Sequence, residues 1–427
     1  MKNAKLKGFL PILIFALCVF IFLFCRFGLN VLKKQIQPGD FLTAYTTWEV
    51  FLQGGNIYNY PSQEGVVFKY APFFAIFFSP LALLTLQHAF AVWYFINTFF
   101  FTVGLALFYF LKHRKIKAAH FIVFSLLGII FIFRSLMPEI KIGNTNLLVL
   151  GLFFLFLFFY LRNNIALSAF IFAFLAYIKM GPLIILLYFI RKRQFRFILW
   201  FGFFTLILVI LPPFLLNFSW QRAFLVFKDW HHNLLMPLPQ DITQLQSLKF
   251  MLTRYLSNTD WLDVNFLSLP DNLVLLVYRI TSAALILGAL FYKTPLRQNA
   301  GNGNLSRELA LIDINMLFIL SVILSPACSY QNFVYLLAPL LVLFLIGWGY
   351  RKDYPKFFWF SLAVMIGLNI FTRNAVWKLI GVTSVKGRFP FLAYTVWPII
   401  SLALYLLLYS LRSRVIKAKA DLTAPGA

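Results

Sequence analysis

The chain of 427 residues contains apolar runs of about 18 residues or more that recur along almost its whole length. A run of this length can cross about 30 Å of hydrocarbon as one helix, in which the backbone N–H and C=O groups bond to each other. Hydrophobic residues make up 61% of the chain and charged residues only 12%, which fits the same class. We therefore predict an all-α polytopic integral membrane protein, and we expect it in a bacterial inner (plasma) membrane.

The Lys and Arg clusters between the apolar runs orient the predicted helices, because cytoplasmic loops carry an excess of these residues. Starting from a basic amino terminus inside, this rule gives about twelve crossings and places both termini in the cytoplasm. The predicted spans are 9–30, 88–111, 119–136, 146–161, 165–178, 182–190, 197–217, 272–292, 310–327, 332–350, 356–372 and 391–411. Two long loops then lie outside, at 31–87 and 217–271. Within the first, the apolar segment 72–86 is short and broken by Pro80, so we expect interfacial helices there rather than a span.

The net charge of +25 raises the question of nucleic-acid binding. The basic residues occur in short clusters between apolar runs, where topology and anionic lipid headgroups account for them. We therefore predict the lipid bilayer as a partner, and no nucleic acid. No stretch looks like a separate soluble domain or an internal repeat, so we predict a single membrane-embedded domain over residues 1–427.

Most of the 13 acidic residues fall outside in this topology, although the rule for Lys and Arg does not require it. The outer segments that carry candidate polar residues are 35–70, 134–146, 217–271 and 325–332. We expect these segments to converge at the outer mouth of a helix bundle. No Walker, Rossmann or zinc-metalloprotease motif occurs, which argues against a nucleotide-driven enzyme. The paired His231 and His232 lack a third ligand at a recognisable spacing, so we predict no metal site.

Asp40 is the first acidic residue after the first apolar run, and it follows a Pro38-Gly39 turn. A carboxylate in this place can serve as a general base toward an acceptor hydroxyl. The structural alternative is that Asp40 caps the helix that starts after the turn. If Asp40 is not the base, Glu139 and Asp241 are the next acids to test.

Lys179 interrupts an otherwise apolar run. Phosphate binding and snorkelling of its ammonium to the outer interface are equally good interpretations. Arg134 and Lys141 are predicted to anchor helices at the interface, with contact to a donor phosphate as the second interpretation. Tyr45, Trp48 and Tyr58 are predicted to form an interfacial aromatic belt, in which one ring could stack on a sugar.

Five elements of the sequence, in order, resemble glycosyltransferase family 87, and the similarity runs from about residue 38 to 350. They are Gly39-Asp40-Phe41 with Tyr45, the Gly54-Gly55-Asn56 turn and F-K-Y-A-P-F-F; Ile142-Gly143-Asn144-Thr145-Asn146; Ile178-Lys179-Met180-Gly181-Pro182; Gln246-Ser247-Leu248; and Leu324-Ser325-Pro326. Each element alone is weak, and the order of the five makes the resemblance specific.

The resemblance implies a C-type glycosyltransferase-like helix bundle that moves a hexose, often mannose, from a polyprenyl-phosphate carrier to a lipid or glycan acceptor at the outer face. It implies a single displacement that needs no cofactor, neither a nucleotide nor an obligatory metal. It places the catalytic base at Asp40. Together with the residue patterns, it gives these candidates for donor or acceptor binding: Lys179, Tyr45, Asn144, Asn146, Gln246, Ser247, Arg134 and Lys141.

Two functions of other classes share this hydropathy. A lipid-linked-sugar flippase should carry ionisable residues near mid-membrane, whereas here the acids cluster at the outer edge. A polysaccharide ligase or polymerase typically has its large outer loop late in the chain, whereas this chain has a substantial loop directly after its first span. Both stay open as alternatives to a membrane glycosyltransferase.

Overall fold

The computed structural model describes residues 2–32, 39–58, 68–111, 116–215, 220–235, 245–257, 267–291, 303–325, 328–372 and 391–421. Over these ranges the regular elements are sixteen α-helices and short 3₁₀ segments, with isolated β-bridges and no strand, so the all-α prediction is confirmed. The helices are α1 Lys2–Leu32, α2 Gly39–Leu52, α3 Pro72–Phe78, α4 Leu86–Phe108, α5 Ala118–Ile142, α6 Asn146–Leu161, α7 Ile165–Ile178, α8 Leu186–Arg191, α9 Phe195–Leu215, α10 Trp220–Leu235, α11 Leu248–Leu256, α12 Asp271–Phe291, α13 Gly303–Ile323, α14 Leu337–Gly349, α15 Pro355–Ile370 and α16 Phe391–Asp421.

Each predicted span coincides with a helical segment, and several of the helices are long enough to cross a membrane. Among the described residues, six are both long and apolar enough: Leu10–Gly28, Leu86–Leu111, Ala118–Ile142, Asp271–Phe291, Tyr330–Gly349 and Val396–Ala418. Shorter apolar helices occupy Asn146–Leu161, Ile165–Ile178, Gly181–Arg191, Phe195–Leu211 and Pro355–Ile370. The chain is therefore a membrane protein, while the number of crossings and the side of the termini stay predictions.

The first predicted outer loop is helical where the structure describes it. It contains α2, α3 and a 3₁₀ turn at Ser79–Leu83, and the α-helix ends just before Pro80, as the sequence predicts. Pro38 and residues 59–67 of this loop lie outside the described residues.

The second predicted outer loop, 217–271, contains two helices that the sequence analysis missed. The stretch is polar on average, so the helical spacing of the apolar residues in α10 and α11 was not recognised. On α10, Phe224 is 70% exposed. The indole N–H of Trp230 donates to the Lys69 carbonyl at 3.1 Å, and the Asn56 amide donates to Asp229 at 2.8 Å. These bonds join α10 to the first loop. Asp241, an alternative base, lies outside the described residues.

The chain divides into two compact units. Unit 1 comprises Met1–Leu111, Leu136–Met180 and Arg193–Gln240. An aromatic core packs α2 against α4, with Trp48 fully buried 5.9 Å from Trp93, between ring centroids. Helices α4 and α6 meet at Gly104 and Gly151, where a Cβ on Gly104 would come within 2.6 Å of the Gly151 carbonyl oxygen. Small residues at such a crossing let two helix backbones approach closely.

Unit 2 comprises Lys112–Ser135, Gly181–Lys192 and Asp241–Ala427, and its core includes charged side chains on α13. Asp313 of α13 forms an ion pair with Arg412 of α16 at 2.9 Å. The Tyr350 hydroxyl donates to Glu308 of α13 at 2.7 Å. The predicted segment began at 310, after Glu308, but the helix begins at Gly303, because buried partners satisfy both acids.

Candidate functional site

The turn between α5 and α6 organises the polar residues of unit 1. Gly143 has a left-handed backbone (φ 70°), and a Cβ there would come within 2.3 Å of the Phe90 ring and 2.8 Å of the Phe41 Cβ. Its carbonyl oxygen accepts a hydrogen bond from the indole N–H of Trp93 at 2.8 Å. A glycine is therefore required here by both conformation and space. The turn places Asn144, Thr145 and Asn146 in the interior, each buried.

Asn144 is hydrogen-bonded to the predicted catalytic base. Its side-chain N–H donates to an Asp40 carboxylate oxygen. Asp40 lies in the first turn of α2 and is half-buried. Its charge is favourable at the amino end of a helix, although Asp40 is the second residue of α2 and not the capping residue that the alternative proposed. The bond to Asn144 connects residues 104 positions apart, however, and so gives Asp40 a second, tertiary role.

Asn146 joins a buried acid to a cation. Its backbone N–H and its side-chain N–H each donate to one carboxylate oxygen of Glu139, both at 2.8 Å. Its side-chain carbonyl accepts a hydrogen bond from the Lys179 ammonium at 2.5 Å. Glu139 is 1% exposed and Lys179 is half-buried. The Glu139 carboxylate thus satisfies the first N–H of α6, and its negative charge offsets the nearby ammonium.

Tyr70 also belongs to the polar cluster around Asp40 and Asn144. Its hydroxyl lies next to the side chain of Thr145. Burial raises the pKa of Tyr70 above its usual range, and the charge of Asp40 adds to the rise. The hydroxyl therefore stays protonated at neutral pH and can act as a hydrogen-bond donor but not as a base.

Two other unit 1 candidates are placed differently. The Tyr45 hydroxyl donates to the Leu84 carbonyl at 2.7 Å, and burial, followed by the charge of Glu49, raises its pKa. Lys141 is exposed in the last turn of α5. The predicted aromatic belt is wrong for Tyr45, Trp48 and Tyr58, which are 7%, 0% and 4% exposed, because their rings pack into the protein core instead of facing the interface.

The remaining candidates belong to unit 2. Arg134 is half-buried on α5. The Gln246 backbone N–H donates to the Cys328 carbonyl at 2.6 Å, which joins the 217–271 and 325–332 segments as predicted. Gln246 is buried, and its side-chain oxygen has no hydrogen-bond partner among the described residues. The Ser247 hydroxyl accepts from the Phe250 N–H at 3.4 Å and so caps α11.

The structure thus joins the four predicted outer segments within each unit: 35–70 contacts both 134–146 and α10 in unit 1, and the later part of 217–271 contacts 325–332 in unit 2. Asp40, Asn144, Asn146 and Lys179 come together in unit 1, and the pair of segments at 245–247 and 328–329 comes together in unit 2. Sequence reasoning named Glu139 only as an alternative base and did not foresee its bonds to Asn146, and it gave Tyr70 and Thr145 no role in the site. The spacing of Glu139 and Asn146, an acid seven residues before an asparagine across a glycine turn, was the available signal. No group of three His, Cys, Asp or Glu residues suited to a metal ion occurs in the part of the chain that the structure describes.

Comparison with known proteins gives one match. The profile described as glycosyltransferase family 87 matches residues 68–326, which is more than half of the chain. The matched segment contains Glu139, Asn144, Asn146, Lys179 and Gln246, and it begins after Asp40. No curated protein and no solved structure matches the chain.

Proposed function

The chain belongs to glycosyltransferase family 87, and on this premise we propose that it moves a hexose, with mannose the expected sugar, from a polyprenyl-phosphate carrier to a lipid or glycan acceptor. The coarse activity, that of a membrane glycosyltransferase, follows from the family and from the apolar helices. The donor, the sugar and the outer face of a bacterial inner membrane are the proposed part.

One observation carries the proposal: Asp40 is half-buried, and its carboxylate is held by a neutral amide. A half-buried carboxylate can be reached by an acceptor hydroxyl, and a neutral amide donor leaves it with lone pairs that can take a proton. In a single displacement, the acceptor oxygen attacks the anomeric carbon while the bond from that carbon to the phosphate oxygen breaks. The carrier phosphate leaves with the electron pair, and the hydroxyl proton passes to Asp40.

Lys179 is the proposed partner of the donor phosphate. Its half-buried ammonium is oriented by Asn146, and an oriented cation stabilises the charge that develops on a leaving phosphate. Because Glu139 balances this cation through Asn146, Lys179 can remain charged in an apolar neighbourhood. Snorkelling would not explain why Asn146 bridges it to a buried acid.

The other candidates have more distant roles in this proposal. The buried oxygen of Gln246 suits a sugar hydroxyl, which would supply the donor that it lacks among the described residues. Asn146 acts through Lys179, and Ser247 acts by capping α11 next to Gln246. Tyr45 and Lys141 in unit 1 and Arg134 in unit 2 stay candidates for donor or acceptor binding.

The function is tested by transfer itself. Membranes with and without the protein are incubated with radiolabelled polyprenyl-phosphate mannose, and the label is followed into lipid and glycan fractions. We expect label in an acceptor only when the protein is present. Label that crosses sealed vesicles while still on its carrier would indicate a flippase, and transfer of preassembled chains without use of the monosaccharide donor would indicate a ligase or polymerase.

The side of the membrane is tested with two exposed positions, Gln53 after α2 and Lys117 before α5. Gln53→Cys and Lys117→Cys are made in a chain that lacks Cys18, Cys25 and Cys328. An impermeant thiol reagent added to intact cells should label position 53 and leave position 117 unlabelled until the membrane is opened. The reverse pattern would overturn the outer-face assignment while leaving the chemistry intact.

A further inference from the structure

We propose that Asn144 is a positioning residue that holds the Asp40 carboxylate in the orientation needed to accept the acceptor's proton. The inference rests on the proposed function, in which Asp40 is the base. Asn144 itself touches the carboxylate and is not assigned a contact with either substrate. Its geometry sets it apart from a residue that merely fills space.

The orientation of the Asn144 amide is fixed by its other contacts. Its carbonyl oxygen accepts from the Thr145 backbone N–H at 2.6 Å and from the Thr145 hydroxyl at 3.3 Å. An amide carbonyl faces donors and an amide N–H₂ faces acceptors, so the N–H₂ group must point toward Asp40. A flipped amide would set its N–H₂ group against the backbone N–H of Thr145 and its oxygen against the Asp40 carboxylate.

The backbone beneath this amide is equally constrained. Gly143 is locked by its left-handed conformation, by close contact with Phe41 and Phe90, and by the bond from Trp93 to its carbonyl. Phe41 is the residue that follows Asp40 on α2, and it is 1% exposed. The packing that fixes Gly143 therefore also fixes the start of α2, which sets the distance between Asn144 and Asp40.

A neutral amide suits this task better than a cation. A carboxylate has two oxygens and about four lone-pair sites, so one amide donor can orient it and leave it able to take a proton. A lysine or arginine in the same place would favour the charged form more strongly and weaken the base. Tyr70 and Glu139, on neighbouring elements, are among the ionisable groups coupled to Asp40, and Lys179 lies beyond Asn146.

Two variants test the inference. Asn144→Leu removes the donor, and Asn144→Asp keeps the shape but sets a second carboxylate against Asp40. Because the amide favours the charged form of Asp40, either change should make that carboxyl harder to ionise, by about one pH unit for Asn144→Asp. The base is active when ionised, so the acid limb of the pH profile of kcat should move to higher pH. Asn144→Leu should also lower kcat at neutral pH by roughly tenfold or more.

Asn97→Leu is the matched control. Asn97 is a buried asparagine of the same unit, and its amide bonds the backbone at Trp93 and Leu148. Loss of Asn97 should lower the yield of folded protein, as loss of Asn144 should, but it should leave the pH profile unchanged. A merely structural role for Asn144 would give the same pattern as this control.

A second readout does not depend on transfer. The carboxyl band of Asp40 is isolated as the infrared difference between a protein and its Asp40→Asn counterpart, and its midpoint is followed across pH. An upward shift in both Asn144 variants and none in Asn97→Leu supports the inference. An unchanged midpoint in both Asn144 variants overturns it, even if the enzyme transfers sugar. A shifted midpoint in a protein that transfers no sugar would keep the contact and reject the proposed function.

Discussion

Two aspartates, Asp40 in unit 1 and Asp313 in unit 2, have contrasting surroundings. Asp313 is 1% exposed, is paired with the fully buried Arg412 at 2.9 Å and has Arg191 at 4.0 Å. Asp40 is half-buried, and its carboxylate receives a hydrogen bond from the neutral amide of Asn144. Both lie in an apolar chain where a bare charge would be costly.

The difference separates a structural acid from a reactive one. A buried ion pair holds its charge only while both partners stay in place, so Asp313 serves to tie α13 to α16. A general base must be accessible to the acceptor hydroxyl and must be able to take its proton. Partial exposure and a neutral hydrogen-bond donor allow both. The type of partner and the exposure, not the presence of a carboxylate, therefore assign the role.

The first variant tests whether Asp40 is the reactive acid of the two. Asp40→Asn keeps the size of the side chain and can still sit in the first turn of α2, but it cannot take the acceptor's proton. We expect sugar transfer to fall by about 100- to 10,000-fold, with folded membrane yield near that of the wild type. Transfer and yield are measured together on the same membranes.

Glu49→Gln is the control for this change, because Glu49 lies on the same helix and is also half-buried. It should retain most activity. If Asp40→Asn keeps more than about a tenth of wild-type turnover at normal yield, the base lies elsewhere and Asp40 joins Asp313 among the structural acids.

The opposite pattern is expected at Arg412. Arg412→Met leaves Asp313 buried without its closest cation, which should cost about 3–5 kcal/mol of stability. The measurement is the fraction of protein that remains monodisperse in detergent after heating, with turnover per folded molecule recorded beside it. Turnover per folded molecule should stay within about twofold of wild type, because the ion pair carries no chemistry.

Two further variants sharpen this result. Lys417→Met, at an exposed lysine on the same helix, should leave stability unchanged. Asp313→Leu combined with Arg412→Met removes both charges of the closest ion pair and leaves only Arg191 without its acid, so the double variant should be more stable than Asp313→Leu, in which both arginines lose this carboxylate. A double variant as unstable as Asp313→Leu would show that α13 and α16 depend on something other than the ion pair.

The contrast also separates the features that can be predicted from the sequence from those that depend on tertiary contacts. The all-α class, the helices over 146–161 and 165–178, and the Pro80 break follow from apolar length and proline geometry, which are local properties. Asp40 and Asn144 were chosen as separate site residues from motifs. The contact between Asp40 and Asn144 could not be predicted from the sequence, because it depends on the packing of Gly143 against Phe41 and Phe90, which are distant from it in the chain.

Other features were misjudged for related reasons. Trp48 and Tyr58 were assigned to a membrane interface because aromatic residues near spans usually lie there, and only tertiary packing shows their rings to be buried. The predicted span that begins at 310 left out Glu308, whose carboxylate accepts a hydrogen bond from Tyr350, the residue directly after α14. Helices α10 and α11 were missed because residues 217–271 were assigned as one loop from their overall polarity.

Lys179 gives the next prediction, since it is the cation that the Asp40 cluster contains and the reactive role requires. Lys179→Met removes a charge-assisted bond to the donor phosphate, which should cost about 1.5–3 kcal/mol, or roughly tenfold to over a hundredfold. The loss should appear as a higher donor KM, a lower kcat, or both. Steady-state kinetics with varied polyprenyl-phosphate mannose measure it.

Lys228→Met, at an exposed lysine of α10 in the same unit, is the control and should leave donor kinetics unchanged. Unchanged kinetics in Lys179→Met would return Lys179 to the snorkelling interpretation. The proposed contrast would then rest on Asp40 alone.

Glu139 supplies the finest test, because it is as buried as Asp313 and yet belongs to the same polar cluster as Asp40. Glu139→Gln removes the negative charge opposite Lys179 and sets an amide N–H₂ against a donor of Asn146, at a cost of about 1 kcal/mol. If the role of an acid depends on the residues around it and not on its burial, Glu139→Gln should displace Lys179 and raise the donor KM about fivefold, with kcat nearly unchanged.

Glu308→Gln is the matched control. Glu308 is a buried acid of unit 2 that accepts one hydrogen bond from Tyr350, so its change should lower stability and leave the donor KM unchanged. A fall in kcat at Glu139→Gln as deep as at Asp40→Asn would instead mark Glu139 as a proton acceptor, which its 1% exposure and its two bonds from Asn146 argue against.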